Sequence, residues 1–358
     1  MDAVRMIIVL FSLAGAADWL FGSRLGIGRE FERAFSLFAP MALSMLGMLV
    51  LAPAIGAWLS PAFEGFYRVF RLDPSIIPAS LLANDMGGML LSQSVCRSAA
   101  VGDFNAFVVS SMMGCTVSFT VPLSLGLVPR EKHRELFLGL LCGIVTIPAG
   151  SFVAGLLCGL TPGAVLLDLL PLLLLSAVIG AALLCLTELC IRCFAAFGFF
   201  MRFLGIAGLA CAVFTFLTGL TPDPRLDSLE NGVLVCANAC VTLSGALPFM
   251  FVMEKLLKKP LGKLGARLGI GDLAALALLG NLVTNVSVFG VMGKMDRKGT
   301  VLTAAFSVSA AFVFGSHLAF TMAFDPGYVL PMVAGKLLSG LCGVALALLI
   351  CKLSPEGA

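Results

Sequence analysis

Stretches of about twenty apolar residues recur from one end of this chain to the other, and that pattern leaves few folds open. Eleven can be placed, at about 4–22, 36–60, 76–95, 104–128, 136–160, 164–187, 197–220, 229–252, 273–293, 300–324 and 328–351. A helix satisfies its own backbone polar groups inside lipid, so the chain reads as an all-α polytopic membrane protein whose first partner is the lipid bilayer. Composition agrees. Of 358 residues, 59% are hydrophobic and 12% charged, against about 25% charged in a soluble domain. No long hydrophilic stretch is left for a soluble catalytic domain, and no Arg-rich region with interleaved aromatics for nucleic acid. The first apolar run lacks a clear small-residue cleavage site and reads as a helix rather than a signal peptide.

Two of these segments carry polar residues at their centres. Leu81-Leu82-Ala83-Asn84-Asp85-Met86-Gly87-Gly88 puts a carboxylate and an amide in the middle of one, followed by two helix-loosening glycines. Asn281-Leu282-Val283-Thr284-Asn285 makes a related move about 200 residues later. These stretches occupy matching places in an internal repeat, 36–160 and 229–352. Each copy starts with a segment holding a late Pro (Pro53, Pro248) and continues through an amphipathic connector (61–75, 253–271) that reads as an interfacial helix. Each then has the polar-centred segment, a Ser/Gly-rich segment and a Gly-rich closing segment. Residues 1–35 read as an N-terminal helix and loop, and 161–228 as linking helices.

Loop charges set an orientation. Lys255, Lys258, Lys259, Lys263 and Arg267 mark 253–271 as cytoplasmic, and Lys294, Arg297 and Lys298 mark 294–299 likewise. Both flanks of 273–293 then lie on one side, so this segment enters the membrane and returns. The same treatment of 76–95 makes the topology consistent, with loops 23–35, 129–135 and 188–202 inside and the acidic loop 221–228 outside. The expectation is nine crossings and two re-entrant hairpins, 76–95 and 273–293, in two repeats of inverted orientation. Inverted repeats with broken helices are the pattern of secondary transporters, with substrate at the midplane.

An ionisable group at membrane depth is a functional-site hypothesis by default. Asp85 reads as an anionic site for a cationic substrate or coupling ion, against a structural ion pair or a helix-tip cap. Asn84 can donate and accept beside it. Asn281, Thr284, Asn285 and Ser287 suit a small solute with a hydroxyl and an ammonium, or else satisfy the backbone of the broken helix. His317 either relays protons or binds the hydroxyl, or is a buried histidine bonded to a neighbouring helix. Lys336 pairs with Asp85 or Asp18, or snorkels to the interface. Ser110, Ser111, Thr116, Ser118 and Thr120 stripe segment 104–128 and line a path or pack between helices; Ser111 is counted with the substrate-binding residues, and Ser316 and Thr116 with Lys336 as gating or supporting groups. Asp18 sits near a helix end. Most of the twelve cysteines lie in apolar runs, and Cys236 and Cys240, spaced as a metal pair, have no His, Asp or Glu beside them. No metal, cofactor or catalytic group is expected, and no Walker loop, HExxH or Gly-x-Ser-x-Gly elbow is present.

The stretches LLANDMGGMLLSQ, SSMMGCTVSFTVPLSLGLV, GLLCGIVTIPAG, GVMGKMDRKG, AFSVSAAFVFGSHLAF and PMVAGKLLSGL together resemble the ethanolamine permease family of the ethanolamine utilisation operon, the EutH type, over about 36–352. The resemblance implies an integral protein of the bacterial cytoplasmic (inner) membrane that admits ethanolamine. An alkyl ammonium with a pKa of roughly 10 is almost wholly charged at pH 7, which fits a midplane carboxylate. Other readings on the same scaffold are a carrier of another small polar solute, nucleoside-like or an amino alcohol, and a passive channel or sensor. The helices at 164–220 leave a surface for a dimer, and so for a homo-oligomer.

Overall fold

A computed structural model describes residues 3–353, all of whose regular elements are helical. In chain order these are α1 (Ala3–Leu20), α2 (Ile27–Phe70), α3 (Ile76–Leu81), α4 (Gly88–Val95), α5 (Ala99–Leu127), α6 (Arg130–Leu157) and α7 (Pro162–Asp168). Then come α8 (Leu170–Cys185), α9 (Thr187–Thr218), α10 (Leu229–Leu268), α11 (Asp272–Asn281) and α12 (Val286–Val291). The last three are α13 (Arg297–Ala310), α14 (Ser316–Phe324) and α15 (Pro326–Leu353).

Six of these, α2, α5, α6, α9, α10 and α15, are long and apolar enough to cross a membrane, and α7 with α8, bent by 41°, makes a seventh if the pair is counted as one span. Length and apolarity thus account for six or seven of the nine expected crossings. The amphipathic connectors are not separate helices. Residues 61–70 continue α2, and 253–268 continue α10, through Pro61 and Pro260. Nothing stops either helix until a residue in the left-handed region, Arg71 (φ 57°) or Gly269 (φ 65°), turns the chain. At 40 residues α10 is about 60 Å long, roughly twice the hydrocarbon thickness. Its Lys-rich end therefore projects beyond the apolar part.

Both polar-centred segments are broken. Between α3 and α4 the chain leaves the helix at Leu82, forms one 3₁₀ turn at Asn84–Met86 and re-enters at Gly88. Between α11 and α12 the break spans 282–285. A third break was not expected: segment 300–324 divides at 311–315 into α13 and α14. Its cause is tertiary. The Phe312 and Phe314 N–H groups donate to the Asn281 and Leu282 carbonyls at 3.0 and 2.7 Å, so two broken helices satisfy each other's backbone.

The arms of each broken segment are tied at their outer ends by one aspartate. Asp73 accepts from the Ser75, Arg97 and Ser98 N–H groups at 3.0, 2.9 and 3.0 Å. Asp296 accepts from the Gly271 and Gly299 N–H groups at 3.1 and 2.9 Å. Loop contacts fall into two sets. One joins Trp58 to Asp223, at 3.2 Å, and stacks Phe107 on Tyr328. The other joins Lys132 to the Met295 carbonyl, at 2.9 Å, and Lys255 to that of Leu25, at 3.5 Å. The 29-residue α5 runs from the Asp73–Arg97 contact toward the Lys132–Met295 contact.

Glycines set the closeness of the core. A Cβ on Gly150 of α6 would lie 2.2 Å from the Gly335 carbonyl oxygen of α15, and one on Gly139 would lie 2.4 Å from that of Val301 in α13. Three helices pack almost backbone to backbone there, as small-residue faces allow in lipid.

Candidate polar site at the helix breaks

The α3–α4 break lies against α5, which is π-wound over Asn105–Gly114 and Thr116–Thr120. Gly114 makes the approach possible: a Cβ there would sit 2.0 Å from the Leu82 carbonyl oxygen. Hydroxyls of α5 satisfy the opened backbone. Ser110 donates to the Leu82 carbonyl at 2.9 Å, and Ser118 accepts from the Ala83 N–H at 3.1 Å. Gly87, at φ 89°, turns the chain back into α4.

Asp85 stands half-buried at this tip, beside the Ser316 hydroxyl at the start of α14 and within the field of the Lys336 ammonium. Lys336 is 1% exposed and donates to the Ser111 carbonyl at 2.5 Å. No carboxylate lies within 4.0 Å of its Nζ among the described residues. Of the expected readings of Lys336, snorkelling is therefore excluded by burial, and pairing with Asp18 is excluded by position. Asp18 accepts from the Leu25 and Gly28 N–H groups at 2.9 and 2.8 Å and fastens the turn from α1 into α2. Ser111 takes part through its carbonyl, since its hydroxyl bonds the Val108 carbonyl in its own helix at 2.9 Å.

His317 is 1% exposed, also feels Lys336, and packs its ring 5.2 Å from that of Phe312. It stands in the first turn of α14, just past the break, rather than in mid-helix as the uninterrupted segment suggested. Its Nδ1 has no partner. Asn84 is fully buried; its Oδ1 accepts from the Asp85 N–H at 3.0 Å and its Nδ2 has no partner. The tip thus combines a carboxylate, an ammonium, an imidazole and free hydrogen-bonding atoms in an apolar surround. Buried polar atoms without partners are uncommon and are candidates for ligand contacts.

The second tip divides. Asn281 and Asn285 are fully buried. Asn281 Oδ1 accepts from Ser307 at 2.8 Å, which fits the backbone-satisfying reading, while Asn285 Nδ2 donates to Thr120 Oγ1 at 3.1 Å and its Oδ1 has no partner. Thr284 and Ser287 lie apart, lining a separate cavity of about 140 Å³ with Glu30 and Glu254. The Thr284 hydroxyl accepts from the Val286 N–H at 3.2 Å, at the start of α12. Thr116 bridges α5 to α13 by donating to the Met112 and Val308 carbonyls at 2.7 and 3.0 Å. Those bonds fit the helix-packing reading.

Ser75, Asn105 and Asp168 form a further buried polar group that the sequence did not single out. The signal was present for Asp168, a carboxylate within the apolar run 164–187.

Helices broken around a half-buried carboxylate and a buried lysine and histidine, within a bundle of six or seven membrane-length helices, define a multi-pass membrane protein with an internal polar site. The chain belongs to the family described as "Ethanolamine utilisation protein, EutH", which it matches over residues 1–350. It is 35% identical to "Probable ethanolamine permease EutH" of Listeria monocytogenes over 97% of this chain and 93% of that protein. It is 32% identical to the protein of that name in Salmonella typhimurium, over 96% and 90%. "Uncharacterized protein YxeR" of Bacillus subtilis is 35% identical over 97% and 94%. No solved structure matches.

Proposed function

We propose that this protein carries protonated ethanolamine inward across the bacterial cytoplasmic membrane, through a site at the α3–α4 tip. The observation that carries the reading is Asp85 at a helix break, half-buried beside Ser316 and Lys336, in a chain whose relatives are named as permeases. The Asp85 carboxylate receives the ammonium. Ser316, His317 and Asn84 stand near enough to the tip to take the hydroxyl end. Asn285, whose Oδ1 has no partner, bonds Thr120 of α5, the helix that also holds the first tip. Lys336 holds the ammonium site in check by its own charge.

The transport cycle in this reading uses two inverted repeats, 36–160 and 229–352, with nine crossings and hairpins 76–95 and 273–293 entering from opposite faces. Support comes from the aspartate that closes each hairpin and from the two sets of loop contacts. Asp73 belongs with the end that carries Arg97, and Asp296 with the end that carries Lys132. In this reading the second end, which carries the basic loops, is cytoplasmic.

Uptake of labelled ethanolamine into proteoliposomes at acid pH tests this, wild type beside Asp85→Asn. Saturable uptake lost in the variant is the expected result. Equal uptake in both keeps the carrier and removes Asp85 from the site. Uptake in neither, with another amino alcohol accepted, moves the substrate.

A further inference from the structure

Asp168 closes α7 at the bend into α8 and is 4% exposed. It makes no ion pair with Lys or Arg among the described residues. The charge that acts on it is a second carboxylate, Asp73, of the same sign. Its one polar partner among the described residues is Asn105 of α5, fully buried, whose Nδ2 donates to Asp168 Oδ1 at 3.2 Å and to Ser75 Oγ at 2.9 Å. Ser75 in turn donates to Asp73 Oδ1 at 2.6 Å, and its carbonyl accepts from Ser92 of α4 at 3.2 Å. The cluster therefore fastens the foot of both hairpin arms to α5 and α7.

Two atoms in it are buried and have no partner: Asp168 Oδ2 and Asn105 Oδ1. Both are acceptors if Asp168 is ionised, and they belong to the two groups already joined through Oδ1 and Nδ2. One proton on Asp168 Oδ2 removes both deficits. Asn105 Oδ1, on the amide that already bonds Asp168 Oδ1, is a free acceptor for its O–H, and such a pair would close a ring of two bonds. The same proton removes an uncompensated buried charge, which is unfavourable without a partner. A metal cation fits less well: two free oxygens stand where hard divalent cations take six or more.

We propose that Asp168 is a proton-binding site, loaded while the α3–α4 hairpin is docked on α5 and α7, and that its discharge couples proton movement to the transport cycle. The coupling half rests on the transport reading above; the protonation half does not. When Ser75 and the hairpin foot withdraw, water reaches the ring. The Asp168 O–H bond breaks, the proton passes to water at the end that carries Arg97, the outer end in the transport reading, and Asn105 Oδ1 is hydrated; re-docking reloads Asp168 with a proton from the cytoplasmic end, so one proton leaves for each ethanolammonium that enters. The titratable and charged groups on the packed elements are Asp73, Asp103 of α5 (bonded to Gln93 at 2.7 Å), Cys158 after α6, Tyr328 in α15, and Arg97, which pairs with Glu64.

Infrared difference spectroscopy on the purified protein reads the first half without any substrate. The wild type minus Asp168→Asn spectrum is expected to show the carbonyl stretch of an un-ionised carboxylic acid at neutral pH. Its absence overturns the proposal. Ethanolamine uptake into proteoliposomes under an imposed pH gradient reads the second half. Asp168→Asn, which keeps an amide in place of the acid, is expected to retain exchange of ethanolamine across the membrane and to lose at least tenfold of the gradient-driven accumulation. Full accumulation in the variant makes the proton structural and overturns the coupling. Stimulation by a sodium gradient instead of a pH gradient also overturns it. Should Asp168→Asn not fold, Asn105→Leu, which removes the ring partner, is expected to shift or abolish the acid band, and an unchanged band overturns the ring. If wild type carries no ethanolamine at all, the transport reading fails while the infrared result stands.

Discussion

Lys336 in the last helix reaches across the bundle and donates to the backbone carbonyl of Ser111, 225 residues earlier, at 2.5 Å. π-winding of α5 accounts for the opportunity. Hydrogen bonds closed to i+5 rather than i+4 widen the turn and disturb the register of carbonyls, and such turns recur at functional sites. The ammonium is held by a dipole rather than by a carboxylate, so its charge remains available to act on Asp85.

That charge opposes a substrate ammonium at Asp85 by roughly 1–2 kcal/mol at the effective dielectric of a protein site. Lys336→Met is therefore expected to lower KM for ethanolamine, on the order of tenfold, while Lys336→Arg leaves it near wild type. Loss of the donor to Ser111 costs about 1–3 kcal/mol of stability, read as a lower unfolding temperature in detergent. An unchanged KM in Lys336→Met would separate Lys336 from the ammonium site.

Gly114 lets α5 touch the α3–α4 break, with a Cβ there only 2.0 Å from the Leu82 oxygen. Gly114→Ala is expected to destabilise by about 1–3 kcal/mol, as overpacking does, and to reduce uptake with it. Gly126→Ala in the same helix has open space around its Cβ and should behave as wild type. Equal behaviour of the two would show that α5 can draw back without loss.

Asp296 holds both ends of the second hairpin, at Gly271 and Gly299. Asp296→Ala removes a helix N-cap and a second backbone bond, for about 1–2 kcal/mol. Hydrogen exchange at residues 271–299 should quicken while that of 73–98 stays slow. Asp73→Ala should produce the reverse pattern. A uniform change along the chain in either variant would mean that the hairpins do not move as separate units.

Outside the membrane, Arg225 beside Asp223 holds the Asp223 carboxyl well below the usual carboxylate range, helped by Trp58 Nε1 at 3.2 Å. The sign follows from linkage: a lowered folded pKa contributes stability above the unfolded value of about 3.9, lost as pH falls through the folded value. In a Trp19→Phe background, Trp58 fluorescence should stay flat through pH 4 and change only below it. A midpoint near 4 would mean that Asp223 is not held by this contact in solution.

Much of the architecture was legible in the sequence. Apolar run lengths placed most of the helices, though α2, α9 and α10 run about ten residues or more past their apolar stretches, and Asn84, Asp85 and the two glycines after them marked the first break, because polar backbone inside lipid requires its own solution. Asn281 to Asn285 marked the second. The break at 311–315 was not legible, because its residues are as apolar as any helix interior. What opens it is the Asn281 and Leu282 carbonyls presented from another part of the chain. Connectors 61–75 and 253–271 were misread as separate elements for a related reason: amphipathic composition shows where a helix leaves lipid, not whether it stops.

The sequence by itself determined the class, an all-helical multi-pass membrane protein, and marked Asp85, His317 and Lys336 as ionisable groups within apolar segments, since hydropathy and chain length act locally and sum along a segment. Only the tertiary structure decided which polar groups share a site. It set Thr284 and Ser287 apart from Asp85, turned Lys336 to a carbonyl instead of a carboxylate, and joined Asp168 to Asn105 and Ser75. The reason is that hydrogen bonds reach about 3 Å, while the residues they join here lie from 30 to 225 positions apart along the chain.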